Sequence, residues 1–117
     1  MVHLKRCLAL FFVALCAFAT TIVPLADISG SGTAQRLSGT AGAVALWVQI
    51  VAPSTNSSVV RVGDSTVSST SGILVAPGGG FFLPALTQTP GIVTRYDLST
   101  IYVLVQSGDK VSAGYGK

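Results

Sequence analysis

The stretch "VVRVGDSTVSSTSGILVAPGGGFFLP", residues 59–84, alternates short apolar runs with clusters of Gly, Ser, Asp and Pro. Short runs rich in Val, Ile and Phe are typical of β-strands, and the clusters between them are typical of turns. The stretch predicts three strands, a turn, an exposed edge strand or loop and a hairpin turn. The strands are 59–62, 73–76 and 81–84. The turn lies at Gly63 and Asp64, the exposed edge strand or loop covers 65–71, and the hairpin turn covers 77–80.

The same pattern continues on both sides of this stretch. Residues 43–51, "AVALWVQIV", predict a single central strand that is buried on both faces for most of its length. Turn signals recur about every 8 to 12 residues, which is typical of an antiparallel sandwich or barrel. The remaining predicted strands are a short one around 34–37, then 92–96, 101–105 and 110–116, the last with Val111, Ala113 and Tyr115 on one face.

The predicted fold is therefore all-β, an antiparallel, jelly-roll-like β-sandwich of about seven or eight short strands. An apolar N-terminal helix precedes it. Three segments are predicted: an apolar leader over 1–19, a linker with a first short strand over 20–42, and the sandwich domain over 43–117.

The leader has the layout of a secretory signal peptide. Lys5 and Arg6 are followed by the apolar run 7–19, and small residues at Ala17 and Ala19 favour cleavage after Ala19. Two alternatives remain open. Apolar character continues to residue 26, about the length that spans a bilayer, so the segment can also be a signal anchor. It can also be an upstream extension that plays no part in the working protein. Membrane contact is expected only through residues 1–19, if they are retained.

Composition excludes several classes of function. Charged residues make up 9% of the 117-residue chain, and there is no Glu. The formal net charge of +3 falls to +1 without Lys5 and Arg6. A binding face for nucleic acid needs a cluster of basic residues, so no nucleic-acid partner is expected.

A catalytic site is also not expected. Ser65 follows Gly63 and Asp64 as in a hydrolase motif, but a serine nucleophile needs a base. His3 is the only histidine, and the two cysteines, Cys7 and Cys16, also lie in the leader. The same shortage leaves no zinc ligands in the body. We therefore predict a protein that is not an enzyme, with no catalytic residues, no metal site and no cofactor.

The other motifs have structural explanations. Gly78, Gly79 and Gly80 lack the following Lys that a phosphate-binding loop requires. Asp64, Asp97 and Asp109 each lie in a turn sequence, where Asp is predicted to cap its own backbone. Residues 56–58 fit the N-glycosylation pattern and also read as a turn.

Strands 43–51 and 101–105 are apolar on both sides. One face can enter the core, and the second face of such a strand needs a cover. A neighbouring subunit would provide this cover, so a homo-oligomer is expected. The alternative is that both strands lie in the middle of a two-sheet sandwich, with loops over their outer faces.

The order of these motifs resembles small all-β accessory proteins of tailed bacteriophages, which include head decoration, head fibre and other minor virion proteins. The resemblance spans roughly residues 20–117. It is carried by residues 62–65 (VGDS), Gly72, Pro77 with Gly78, residues 97–103 (DLSTIYV), and Gly108, Asp109 and Val111.

The resemblance implies a non-enzymatic structural protein of the virion. It would be a capsid decoration or other particle-surface component, acting through contacts with capsid or other virion proteins. The leader favours an alternative: a secreted or membrane-anchored β-sandwich module that binds carbohydrate or adheres to surfaces.

Overall fold

The computed structural model describes residues 21–39, 43–86 and 95–117. In these ranges the chain is nearly all β-structure, and its named strand pairs are antiparallel, as predicted. The strands are β1 (Ile22–Pro24), β2 (Ile28–Ser29), β3 (Ala34–Arg36), β4 (Val44–Ala45), β5 (Trp47–Val51), β6 (Val60–Gly63), β7 (Ile73–Val75), β8 (Gly80–Leu83), β9 (Tyr96–Asp97), β10 (Tyr102–Leu104) and β11 (Lys110–Gly116). A single 3-10 turn, Leu98–Thr100, is the helical element of the described ranges.

The predicted N-terminal helix over 1–19 lies outside the described residues. Within those that are described, no helix has both the length and the apolar character needed to span a bilayer.

The first sheet is organised around β11. Its strand order is β1-β11-β5-β8, and β2 pairs with the start of β11. The predicted last strand is confirmed, because β11 covers 110–116. Val111 is fully buried, and Ala113 and Tyr115 pack against the core on the same side, as the alternation predicted.

The segment 20–42 contributes more structure than a linker with one strand. Its described residues supply β1 and β2 to the first sheet and β3 to the second. The two extra strands have only three and two residues. An alternating pattern cannot be recognised over so few residues, so these two strands could not be predicted from local patterns.

The second sheet has the order β3-β10-β6-β7. Its four strands lie within the predicted segments 34–37, 101–105, 59–62 and 73–76, apart from Gly63 at the end of β6. A central strand of a sheet is paired along both edges, and β6 and β10 hold these positions here. The outermost strands are β3 and β7.

Residues 43–51 do not form the single strand that was predicted. The chain changes partners at Leu46: β4 pairs with β9, and β5 pairs with β11 and β8. The amide of Leu46 donates to the carbonyl of Gly116 at 2.8 Å. The prediction of burial on both faces is also wrong for β5, where Val48 and Ile50 are buried and Gln49 is exposed.

The predicted hairpin turn at 77–80 is instead a crossover between the sheets. β7 pairs with β6 in the second sheet, whereas β8 pairs with β5 in the first. The amide of Gly78 donates to the carbonyl of Ala52 at 2.8 Å, and Gly78 has a φ of +82° that favours glycine. Since four residues link β7 to β8, the two strands lie on the same side of the molecule.

The core joins the two main sheets. Val48 and Ile50 of the first sheet and Val60 and Val103 of the second have no exposed surface and belong to one apolar cluster. Burial of a side chain of this size stabilises the fold by about 1.5–3 kcal/mol. The remaining buried members of the cluster are Leu37, Ala45, Ala52, Val62, Val75, Leu98, Val105 and Val111.

Candidate functional site

The Gly63-Asp64-Ser65 motif forms the predicted turn after β6. The Asp64 carboxylate accepts hydrogen bonds from the amide and the hydroxyl of Thr66, and the amide of Val67 donates to the Asp64 carbonyl at 3.0 Å. The hydrogen bonds from Thr66 lower the pKa of Asp64 below its ordinary value. Asp64 therefore shapes the turn and remains an anion, which is the structural role that the sequence predicted.

Asp97 has the same kind of role at the 3-10 turn. Its carboxylate accepts from the hydroxyl of Ser99 at 2.7 Å and from the Ser99 amide at 3.0 Å. These hydrogen bonds lower the pKa of Asp97. The capping predicted for this residue is confirmed.

Asp109 differs from the prediction, because it caps a distant segment and not its own turn. Its carboxylate accepts from the amide of Ser57 at 2.8 Å, from the Ser57 hydroxyl at 3.1 Å and from the amide of Ser58 at 2.9 Å. The Ser57 amide is the largest cause of the lowered pKa of Asp109. Only 6% of Asp109 is exposed.

Asn56 completes this buried polar clamp. Its side-chain amide donates to the carbonyl of Lys110 at 2.7 Å and accepts from the amide of Lys110 at 3.0 Å. Only 7% of Asn56 is exposed. The pattern over 56–58 therefore serves to dock a turn against β11, and a glycan could not be attached to this nitrogen in the folded chain.

The described residues hold no grouping of three or more His, Cys, Asp or Glu side chains that could bind a metal. A cavity of about 410 Å³ lies beside Asp64 and Ser65 and is also lined by Arg36 and Tyr102. There the guanidinium Nε of Arg36 donates to the Tyr102 hydroxyl at 2.8 Å. The groups at this cavity form turns and surface contacts and do not bring a base to Ser65.

The most unusual surface lies at β7 and β8, the outermost strands of the two sheets on one side. Ile73 is 53% exposed, Leu74 55% and Phe82 55%. We call these three residues the apolar edge. Residues 65–94 contain no Asp, Glu, Lys, Arg or His, so the sequence around the apolar edge carries no charge.

Natural proteins usually protect outermost strands with charged side chains, bulges or covering loops. Ile73 pairs with Val62 and Val75 pairs with Val60, so both share the core-facing side of β7. Val75 is buried, but Ile73 is not. The core is therefore open at this end of the second sheet.

The prediction of uncovered apolar surface is wrong for strand 101–105, whereas segment 43–51 does expose some, since Val44 is 40% exposed. On β10, Val103 and Leu104 point to opposite faces, and both are buried within this single chain. Sequence reasoning missed the apolar edge, although the absence of charge over 65–94 was a signal for it.

A second apolar feature lies on the outer face of the first sheet. Alternation along β5 places Trp47 and Gln49 opposite the core. The rings of Trp47 and Phe82 have centroids 6.1 Å apart and planes inclined by 44°. They line a cavity of about 360 Å³ together with Gln49, Pro84 and Ala85.

Comparison with known proteins adds no relative: no family model, no curated protein and no solved structure matches this chain.

Proposed function

We propose that this chain is a non-enzymatic structural protein of a bacteriophage virion. It would be a capsid decoration or another accessory component of the particle surface, acting by protein–protein assembly. The observation that carries the proposal is the apolar edge: three large apolar side chains, each more than half exposed, on the outermost strands of both sheets.

An outermost strand offers unpaired backbone amides and carbonyls, which pair with the edge of another strand. Ile73 and Leu74 add apolar area at the β7 edge, and Phe82 adds it on the outer face of the first sheet. Residues 65–94 carry no charge, and the nearest cation is Arg61, which lies opposite Leu74 on β6. The fitting partner is therefore a largely apolar strand edge, from a virion protein or from a second copy of this chain.

The residues that carry the resemblance to phage accessory proteins support the same function. Four of these residues shape the local backbone in turns or at strand ends: Asp64, Gly72, Gly78 and Asp97. A fold whose recurring motifs serve its turns fits a structural role. We further propose that the two main sheets pack face to face as a β-sandwich, since their buried residues form one cluster.

Peptide mass spectrometry tests this function. Purified particles, the extracellular medium and the membrane fraction are digested and searched for this chain and for its N-terminal peptide. The proposal predicts the chain in particles, with its N-terminus near residue 20 or at an internal start. Absence from particles, with a terminus at residue 20 in the medium, would instead identify a secreted module. Retention of 1–19 in the membrane fraction would identify an anchored one.

A further inference from the structure

The outer face of the first sheet holds a shallow cleft with an aromatic floor. Trp47 and Phe82 form this floor and pack against each other, with ring centroids 6.1 Å apart and planes inclined by 44°. A Cβ atom at Gly116 would overlap the Trp47 indole, so the ring occupies space that only glycine leaves free. Gly114 lies opposite Gln49 in the register of β11 and β5. The two glycines remove side chains from this part of the face and leave the ring and the amide accessible.

A polar side chain without a partner borders this aromatic floor. Gln49 is exposed, and its side-chain amide has no hydrogen bond to the described residues. The indole nitrogen of Trp47 lies over Gly116 of β11, on the other side of β5 from Phe82. The cleft thus offers two amide donors and one carbonyl acceptor, all from Gln49.

The cleft is unsuited to an added peptide strand. β5 lies in the middle of the sheet and is paired with β11 on one side and β8 on the other. Its backbone groups are therefore already used, and binding at this face depends on ring surfaces and side-chain amides. None of the described residues that line the cavity is charged.

We propose that this cleft binds a pyranose ring of a neutral oligosaccharide. The C–H-bearing face of a pyranose stacks on an aromatic ring, and a carboxamide hydrogen-bonds to neighbouring hydroxyl groups through its N–H and C=O. Such a site combines apolar walls with a few polar groups that fix orientation. A neighbouring groove of about 150 Å³, lined by Gln49, Val51, Ser112 and Gly114 among others, continues the site and provides room for part of a second ring.

The site shares Phe82 with the apolar edge, but Trp47 and Gln49 are not part of that edge. A virion component with this cleft would contact glycans at a cell surface, and a secreted module with it would bind the same class of ligand. Either outcome for particle association leaves the sugar site testable by itself.

Tryptophan fluorescence tests the site directly, because Trp47 is the only tryptophan in the chain. The full chain is titrated separately with cellohexaose, maltohexaose, chitohexaose, mannohexaose and a polygalacturonate hexamer. We expect a saturable change in emission with at least one of the neutral sugars. Gln49→Ala should weaken that binding about tenfold, because the hydrogen bonds from the side-chain amide to the sugar hydroxyls are lost.

Thr55→Ala is the control, since Thr55 is exposed and lies outside both the cleft and the apolar edge. It should bind the same sugar with unchanged affinity. The proposal is overturned if no neutral sugar gives a saturable change, if Gln49→Ala binds as tightly as the unchanged chain, or if only polygalacturonate binds. If the emission changes with protein concentration and not with sugar concentration, the cleft is a contact between copies of this chain, and the proposal is also overturned.

Discussion

Removal of the Asn56 side chain should destabilise the fold more than a substitution in a turn usually does. In Asn56→Ala, two hydrogen bonds to the backbone of Lys110 disappear, one of 2.7 Å and one of 3.0 Å. A protein hydrogen bond contributes about 1 kcal/mol net, and a polar group left without a partner adds to the cost. We therefore expect a loss of about 2–3 kcal/mol in the free energy of unfolding.

This loss is measurable in a small domain. At roughly 4–8 °C per kcal/mol, the melting temperature should fall by about 10–20 °C. Urea unfolding followed by circular dichroism would give the free energy independently, from the midpoint at unchanged slope.

Thr55→Ala provides the matched control for Asn56→Ala. Thr55 is the preceding residue in the same turn and is exposed. Its substitution should change stability by no more than about 0.5 kcal/mol. If Asn56→Ala loses as little as Thr55→Ala, the side chain does not dock this turn to β11, and our account of the clamp is wrong.

Three further results are expected. Asp109→Asn should have a lower free energy of unfolding than the unchanged chain at about pH 6, and this difference should narrow by about pH 2. A carboxyl whose pKa is lowered in the folded state contributes stability above about pH 4, and the contribution is lost as the pH falls through that lowered pKa. A difference in urea midpoints that persists at low pH would contradict the clamp. Leu74→Lys places a second cation opposite Arg61 and should cost up to about 1 kcal/mol of stability, and it should reduce association in sedimentation velocity. Unchanged association would exclude the apolar edge as a contact. Gly72→Ala should lose about 2 kcal/mol or more in urea unfolding, because the φ of Gly72 is +126° and a Cβ atom would lie 2.7 Å from the Val67 side chain. Gly39→Ala, where a Cβ atom would meet nothing within 4 Å, should change little, and equal effects of the two would refute the steric argument.

Local patterns predicted the strands well where the alternation was long or the turns were clear. β11 was predicted over its full length because alternation of apolar residues extends across it. Turns at Asp64 and Asp97 followed from the tendency of Asp to accept hydrogen bonds from amides two residues ahead. These features depend only on residues close together in the chain.

Features that depend on distant partners could not be predicted in this way. The break at Leu46 arises because the flanking residues pair with different strands, and nothing in "AVALWVQIV" marks that change. The turn at Gly78 has the sequence of a hairpin, but β7 and β8 find partners in different sheets. Asn56 contacts a residue 54 positions away.

The candidate sites could likewise be predicted from the sequence only in part. Absence of His, Cys and Glu from the body argued against an enzyme, and the uncharged run over 65–94 was visible in the sequence. Which of its apolar residues remain exposed depended on the order of strands in each sheet. The cleft at Trp47 depended on the register that brings Gly116 beneath the indole.

The central claim is that the apolar edge attaches this chain to a virus particle. The most direct test is quantitative mass spectrometry of purified particles from infected cells that express either the unchanged chain, Leu74→Lys, or the control Thr55→Lys. Our account predicts that the unchanged chain and Thr55→Lys co-purify with particles at the same constant ratio to the major capsid protein, and that Leu74→Lys is lost from them. Equal recovery of all three chains would contradict the role of the apolar edge, and absence of all three would contradict the virion function.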